Sequence, residues 1–152
     1  KTLTLDNFSC SSDAIGGVIN IQDGDITIKL KGNNTLTGTG EYTYGIYTTG
    51  NLVICNGEDG AAQGQLTINT VDYCINAYSG TLEINGVKVV ATSTGGAGLS
   101  AESISLSGVT LSAIGGGDIY VIGESISVEN STVEAYCAYG SIFSSTFSSL
   151  FL

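Results

Sequence analysis

Paired acidic residues are the first groups in this 152-residue sequence that could do chemistry. The pairs are Asp23 with Asp25, Glu58 with Asp59, and Glu102 with Glu124. Calcium needs several oxygen ligands at about 2.3–2.6 Å, which carboxylates and backbone carbonyls supply. Glu102 and Glu124 recur 22 positions apart in a repeated phrase, so stacking would bring like charges together and a cation would relieve their repulsion. The pairs predict bound calcium, although solvated turns use the same residue types.

Tyrosine rings are the second kind of candidate, because a flat ring with a polar edge suits the recognition of sugars. Three of the eight tyrosines, Tyr42, Tyr44 and Tyr47, are concentrated at one polar insertion, and we predict that they bind carbohydrate. Five more recur near the expected turns of the chain: Tyr73, Tyr78, Tyr120, Tyr136 and Tyr139. Tyrosine is also favoured in strands, so a structural role explains the same pattern.

Catalysis is limited by the residues that the sequence lacks. There is no histidine or arginine, which excludes a Ser-His-Asp triad, an imidazole acid or base, and an arginine clamp. We therefore predict a non-catalytic protein. Two alternatives stay open: a lyase with calcium and a lysine base, and a glycosidase with two carboxylates about 6.5–9.5 Å apart.

The four cysteines, Cys10, Cys55, Cys74 and Cys137, have no CxxC spacing, and no histidine could complete a zinc site. Both free thiols and at least one disulfide are compatible with these positions.

The net charge is −10, from 14 acidic and 4 basic residues. Such a charge repels phosphate backbones, so we expect no nucleic-acid partner. We also expect no membrane span, because no apolar run approaches the roughly 20 residues that a spanning helix needs. The chain opens at Lys1 in a strand-like pattern rather than in a signal peptide. We interpret it as a mature or excised piece of a longer secreted protein, or as a chain whose start residue was removed.

A repeat of about 22 residues organises the chain: AESISLSG from Ala101 returns as GESISVEN from Gly123. An apolar pair recurs at Leu3/Leu5, Ile26/Ile28, Leu52/Ile54, Leu82/Ile84, Ile104/Leu106 and Ile126/Val128, at intervals of 23, 26, 30, 22 and 22. A second strand follows within each unit, marked by Leu36, Leu66/Ile68, Val87/Val89, Val109/Leu111 and Val133/Ala135. A third strand precedes the pair.

Alternating apolar and polar residues with glycine-rich corners predict an all-β fold, a parallel β-helix of about six rungs with three strands each. A β-sandwich is the main competing fold. The two long intervals locate polar insertions at residues 38–44 and 56–64, which we expect on one edge of the rod.

Three phrases, GDITIKLKGNNTLTG from Gly24, YGIYTTGNLVI from Tyr44 and SGTLEINGVKVVATS from Ser79, resemble the repeats of small bacterial right-handed β-helix carbohydrate-binding domains. These domains have the shape of small pectate lyases. The resemblance covers about residues 17–138. It implies an extracellular or cell-surface domain that binds cellulose or an acidic plant polysaccharide, and calcium held by surface carboxylates.

The last twelve residues differ from the repeat: they are uncharged and rich in aromatic residues, and they include Phe143, Phe147 and Phe151. We therefore divide the chain into a β-helix, residues 1–140, and a tail, residues 141–152. An uncapped rod exposes strand edges, so we expect the tail to cap the last rung or to pair with another subunit. The leading functional prediction is carbohydrate binding assisted by calcium. The alternative is a structural subunit that self-associates through its rod ends into an extracellular fibre.

Overall fold

The computed structural model describes residues 1–57, 62–116, 119–121, 125–137, 143–145 and 149–151, with the backbone alone at 120–121, 137 and the last two segments. Every helix or strand element in these ranges is a β-strand. Within the strands aliphatic residues alternate with Ser, Thr, Asn or Lys, which is the pattern of a sheet with one buried side. No helix in the described ranges is long and apolar enough to cross a membrane.

The strands form three ladders. The first contains β1 (Thr2–Asp6), β4 (Ile26–Lys31), β7 (Leu52–Asn56), β14 (Ser125–Glu129) and β17 (Ser149–Phe151). The second contains β2 (Ser9–Ser12), β5 (Asn33–Gly38), β8 (Gln65–Thr70), β10 (Lys88–Ser93), β12 (Thr110–Gly115) and β15 (Thr132–Cys137). The third contains β3 (Ile19–Ile21), β6 (Ile46–Thr48), β13 (Ile119–Val121) and β16 (Phe143–Ser145). Two longer strands, β9 (Ile75–Asn85) and β11 (Leu99–Ser107), run through the third and then the first ladder.

The chain visits the three ladders in the same order on every circuit, and the neighbouring strands in each ladder are parallel. This arrangement is a parallel β-solenoid of about five turns in the described residues, so the predicted fold class is confirmed and a sandwich of antiparallel sheets is excluded. The predicted six rungs slightly exceed that number. The handedness stays a prediction.

The core is a set of aliphatic columns inside the coil. Leu3, Ile28, Ile54, Ile84, Leu106 and Val128 stack in one column of the first ladder. Ile28, Ile54 and Ile84 are fully buried. Burying such a side chain contributes about 1.5–3 kcal/mol, and each column continues through successive turns about 4.8 Å apart.

The register corrects the sequence alignment in three places. Leu3 pairs with Ile28 rather than with Ile26, so the first interval is 25 residues and not 23. In the second ladder Leu66 pairs with Val89, not Val87. In the same ladder Val133 pairs with Leu111, not Val109. A shift of two residues keeps every side chain on the same side of the sheet, so alternation alone cannot distinguish the two registers. The later intervals of 26, 30, 22 and 22 are confirmed.

The two insertions lie at different corners of the coil, so the expectation of one shared edge is wrong. The first connects β5 to β6, between the second and third ladders, and the second connects β7 to β8, between the first and second ladders. Only the first insertion borders the third ladder.

The C-terminal segment continues two of the ladders. Phe143 pairs with Ile119 and Phe151 pairs with Ser127, in both cases in parallel strands. The description covers the backbone of these two phenylalanines, and Phe147 lies outside the described residues. The division of the chain at residue 140 and the roles of this segment as cap or assembly strand stay predictions.

Candidate functional site

The candidate site is built on a column of backbone hydrogen bonds between turns, at the corner before the third ladder. The amide of Val18 donates to the carbonyl of Tyr44 at 2.8 Å, and the amide of Gly45 donates to the carbonyl of Tyr73 at 3.2 Å. Tyr44 and Tyr73 therefore occupy equivalent positions in successive turns, although 29 residues separate them in the sequence.

Gly45 holds this corner close to the next turn. A Cβ atom at Gly45 would lie 2.3 Å from Cγ2 of Ile68 and 2.5 Å from the carbonyl oxygen of Cys74. Only glycine fits so near to the neighbouring backbone. The close approach fixes the position of the residue before it, Tyr44, relative to the turn that carries Tyr73.

Three tyrosine rings meet at this corner. The ring centroids of Tyr44 and Tyr47 are 5.3 Å apart with an interplanar angle of 30°, and those of Tyr44 and Tyr73 are 5.9 Å apart at 32°. All three side chains are half-buried. Rings at such separations attract one another beyond the area that they bury, by about 0.5–1.5 kcal/mol per pair. We call these three residues the tyrosine cluster.

The structure thus brings together two of the three predicted carbohydrate-binding tyrosines and separates the third. Tyr42 has a positive φ of 62°, is 61% exposed, and makes no ring contact with the described aromatic residues. The sequence places Tyr73 only in the broader group of tyrosines near turns. Tyr73 lies one turn from Tyr44 because that turn is 29 residues long, and the insertion at residues 56–64 is what lengthens it.

Asn76 lies beside the cluster and carries an unpaired acceptor. It pairs with Tyr47 in the third ladder, and its neighbours Ile75 and Ala77 belong to the core, so Asn76 faces the outer side. Its side chain is only 6% exposed, and Oδ1 accepts no hydrogen bond from the described residues. A buried acceptor without a donor costs about 1–3 kcal/mol.

Asp72 adds a negative charge to this corner. Burial raises the pKa of Tyr44, and the nearby Asp72 carboxylate raises it further. Burial also raises the pKa of Asp72 itself, against the opposing hydrogen bond from the backbone amide of Tyr73. The hydroxyls of Thr70 and Ser93 donate to the Asp72 carbonyl at 2.8 and 2.6 Å, which anchors the turn.

The acidic pairs do not assemble a cation site in the described part of the chain. Asp25 Oδ1 accepts the amide of Asn51 at 2.9 Å, while Asp23 is 99% exposed and lies 3.9 Å from the Lys1 ammonium. Glu102 is exposed, in β11. No three His, Cys, Asp or Glu residues in the described ranges are grouped to hold a metal ion. Glu58, Asp59 and Glu124 lie outside those ranges.

Asp25 belongs instead to a structural series of cross-turn hydrogen bonds. The backbone amide of Asn51 donates a hydrogen bond to Asp25. The side-chain Oδ1 of Asn51 accepts hydrogen bonds from the amide and the hydroxyl of Thr81, in the following turn, at 3.0 and 3.1 Å. These side chains border an open groove of about 260 Å³ that Lys1 and Glu83 also line. Because these oxygens already bind the neighbouring turn, they stabilise the corner rather than form a free ligand set.

The cysteines with described side chains, Cys10, Cys55 and Cys74, are free thiols. Cys74 is fully buried, and burial raises its pKa to about 12 against an opposing hydrogen bond with Thr70. A thiol with so high a pKa is not a nucleophile at neutral pH.

Comparison of the chain with protein-family models, with curated protein sequences and with solved structures gives no match.

Proposed function

We propose that this chain is a non-catalytic domain that binds an extracellular polysaccharide through the tyrosine cluster. The observation that carries the proposal is the meeting of Tyr44, Tyr47 and Tyr73 on a corner of the coil beside the unpaired acceptor of Asn76. Ring faces supply apolar contact to a sugar, and the phenol hydroxyls and the amide supply hydrogen bonds.

The setting of the cluster supports this proposal. Tyr44 and Tyr73 are held by cross-turn backbone hydrogen bonds and by the close approach at Gly45. Rings that are already positioned lose little conformational entropy when a ligand binds. A flexible loop of tyrosines would lose more.

The absence of histidine and arginine from the sequence supports a binding role over catalysis. The extracellular location and the help of calcium are parts of the proposal that come from the resemblance of the repeats. The described residues do not fit a calcium site, so a calcium requirement would have to involve the acids outside the described ranges.

A pull-down with insoluble polysaccharides tests the proposal. Cellulose, xylan, mannan and cross-linked pectate are each incubated with the wild type, Tyr44→Ala, Tyr73→Ala and the control Tyr136→Ala, with calcium and with a chelator. Tyr136 is 68% exposed and lies in the second ladder, away from the cluster. We expect the wild type and the control to be retained on at least one polymer, and the two cluster variants to lose retention at least tenfold.

Circular dichroism and thermal unfolding establish that each variant is folded. No retention of the wild type on any polymer would refute the proposal. Equal retention of Tyr44→Ala and Tyr136→Ala would show that a different surface binds the sugar.

A structural subunit that assembles end to end is the second candidate function, and the N-terminal end of the coil favours it. The strands β1, β2 and β3 are outermost in their ladders, so their outer edges are unpaired in the described residues. Ile15 is 82% exposed and Phe8 is 39% exposed at this end. Open strand edges with apolar side chains promote pairing with another chain.

Sedimentation and electron microscopy over a concentration series test that second function. Wild-type filaments that disappear in a Phe8→Lys, Ile15→Lys variant would support it. A wild type that stays monomeric at the highest concentration would refute it.

A further inference from the structure

We propose that the tyrosine cluster selects neutral sugars and rejects uronates. This inference rests on the proposed carbohydrate-binding function and names the chemical class of its ligand. It follows from the sign of the charge at the corner, while the hydrogen-bonding group that the corner leaves unpaired supports a sugar as the ligand.

The charge at the corner is negative. Asp72 immediately precedes Tyr73, whose ring centroid lies 5.9 Å from that of Tyr44, and the Asp72 carboxylate raises the pKa of the Tyr44 phenol. In the sequence, residues 39–48 and 70–77 contain two acids, Glu41 and Asp72, and no lysine. Because Asp72 is partly removed from water, its field is screened less than that of a fully solvated carboxylate.

The cations of the chain lie elsewhere. Lys29 and Lys31 belong to the first ladder, Lys88 begins a strand of the second ladder, and the Lys1 ammonium lies beside Asp23. No arginine exists in the sequence to bind a carboxylate in a bidentate fashion. A uronate at the tyrosine cluster would therefore meet a carboxylate and no compensating cation from the two segments that carry the rings.

The unpaired group at the corner needs a donor. Asn76 Oδ1 is an acceptor, and it is buried without a partner among the described residues. A hydroxyl of a neutral sugar or of a uronate can donate a hydrogen bond to it, so this atom favours a sugar as the ligand and the charge at the corner makes the selection. Pairing this atom would remove the unfavourable burial of an acceptor without a donor.

Calorimetric titration with soluble hexasaccharides tests the selection. The neutral probes are the hexaoses of β-1,4-linked glucose, xylose and mannose, and the acidic probe is hexagalacturonate. The full chain is titrated as wild type, Asp72→Asn, Asn76→Leu and the control Glu134→Gln, at 20 and 500 mM salt. Glu134→Gln also removes one negative charge, but from an exposed position in the second ladder.

We expect the wild type and the control to bind at least one neutral probe at least tenfold more tightly than hexagalacturonate at low salt. Asp72→Asn should reduce that ratio severalfold by strengthening the binding of hexagalacturonate, and high salt should reduce it in the wild type more than in Asp72→Asn. Asn76→Leu should weaken the binding of the neutral probe and leave the salt dependence unchanged.

Wild-type binding of hexagalacturonate as tight as that of the neutral probes would overturn the selection and leave carbohydrate binding intact. A ratio that Asp72→Asn and Glu134→Gln change equally would also overturn it, because the effect would then come from net charge. If no probe binds and the insoluble polymers also fail to retain the wild type, the proposed function itself is refuted, and the selection with it.

Discussion

Replacement of Asn34 by leucine tests the balance between aliphatic packing and cross-turn hydrogen bonding in this coil. Asn34 is 1% exposed and pairs with Leu66, in a column that continues through Val89, Leu111 and Val133. A leucine would complete the aliphatic column. Hydrophobicity alone would therefore predict that Asn34→Leu stabilises the protein.

The hydrogen bonds of Asn34 predict the opposite. Its Oδ1 accepts the amide of Phe8, in the preceding turn, at 2.9 Å. Its Nδ2 donates to the carbonyl of Lys31 at 3.1 Å and to that of Gln65, in the following turn, at 3.2 Å. One side chain thus joins three successive turns.

The two effects can be compared in magnitude. Leaving the Phe8 amide without an acceptor costs about 1–3 kcal/mol, and losing the two bonds to carbonyls costs about 0.5–1.5 kcal/mol each. A buried leucine side chain returns about 1.5–3 kcal/mol. We therefore expect Asn34→Leu to lower the free energy of unfolding by about 1–3 kcal/mol, which corresponds to a fall in Tm of about 2–4 °C for each kcal/mol in a chain of this size.

Urea unfolding followed by circular dichroism measures the effect. The matched control is Asn33→Leu, because Asn33 is the exposed neighbour, and its change should stay within about 0.5 kcal/mol. Asn34→Ala should be less stable than Asn34→Leu, since it loses the same bonds without the apolar gain. A leucine variant at least as stable as the wild type would refute the reasoning, because aliphatic packing would then outweigh the bonds between turns.

Three further predictions follow from the contacts. Gly80→Ala should lower the free energy of unfolding by about 3 kcal/mol or more, because the new Cβ would lie 2.5 Å from the backbone of Gly50. Gly86→Ala, in open space at a φ of 64°, should lower it by only about 1 kcal/mol. Equal losses for the two variants in urea unfolding would contradict this prediction. Burial raises the folded-state pKa of Asp72, so the folded chain holds that proton more tightly and its stability falls as the pH rises above 3.8; Asp72→Asn should therefore be more stable than the wild type at pH 7 and equal to it near pH 3, and a gain at both pH values would contradict the assigned cause. Cys74, with a pKa of about 12, should resist iodoacetamide in the native protein at pH 8 and react after unfolding, whereas the half-buried Cys55 reacts earlier; mass spectrometry of the labelled peptides measures both rates, and native labelling of Cys74 as fast as that of Cys55 would contradict the burial.

The candidate site shows where inference from the sequence stops. Clustering in the sequence identifies Tyr44 and Tyr47, since they are three positions apart. It also includes Tyr42, whose left-handed backbone is not visible in the residue types. Tyr73 and Asn76 join the same corner only because a 29-residue turn returns the chain there. The pKa shifts of Asp72 and Tyr44 arise from burial at that corner, which is likewise a property of the folded coil.

The sequence by itself determined the fold class. Alternation sets which side chains face inward, glycine marks the corners, and the 22-residue recurrence requires units that stack. These are local properties, and each turn repeats them.

Only the tertiary structure decided the register and hence the neighbours across turns. Leu3 could pair with Ile26 or with Ile28 without a change in the buried side, and the hydrogen bonds between turns selected Ile28. The same bonds placed Asn34 in an aliphatic column and Tyr73 beside Tyr44. A shift of two residues leaves the alternation of buried and exposed side chains unchanged, so the sequence pattern does not reveal it. The shift nevertheless moves a side chain about 6.6 Å along the strand, which decides whether that side chain reaches the binding corner.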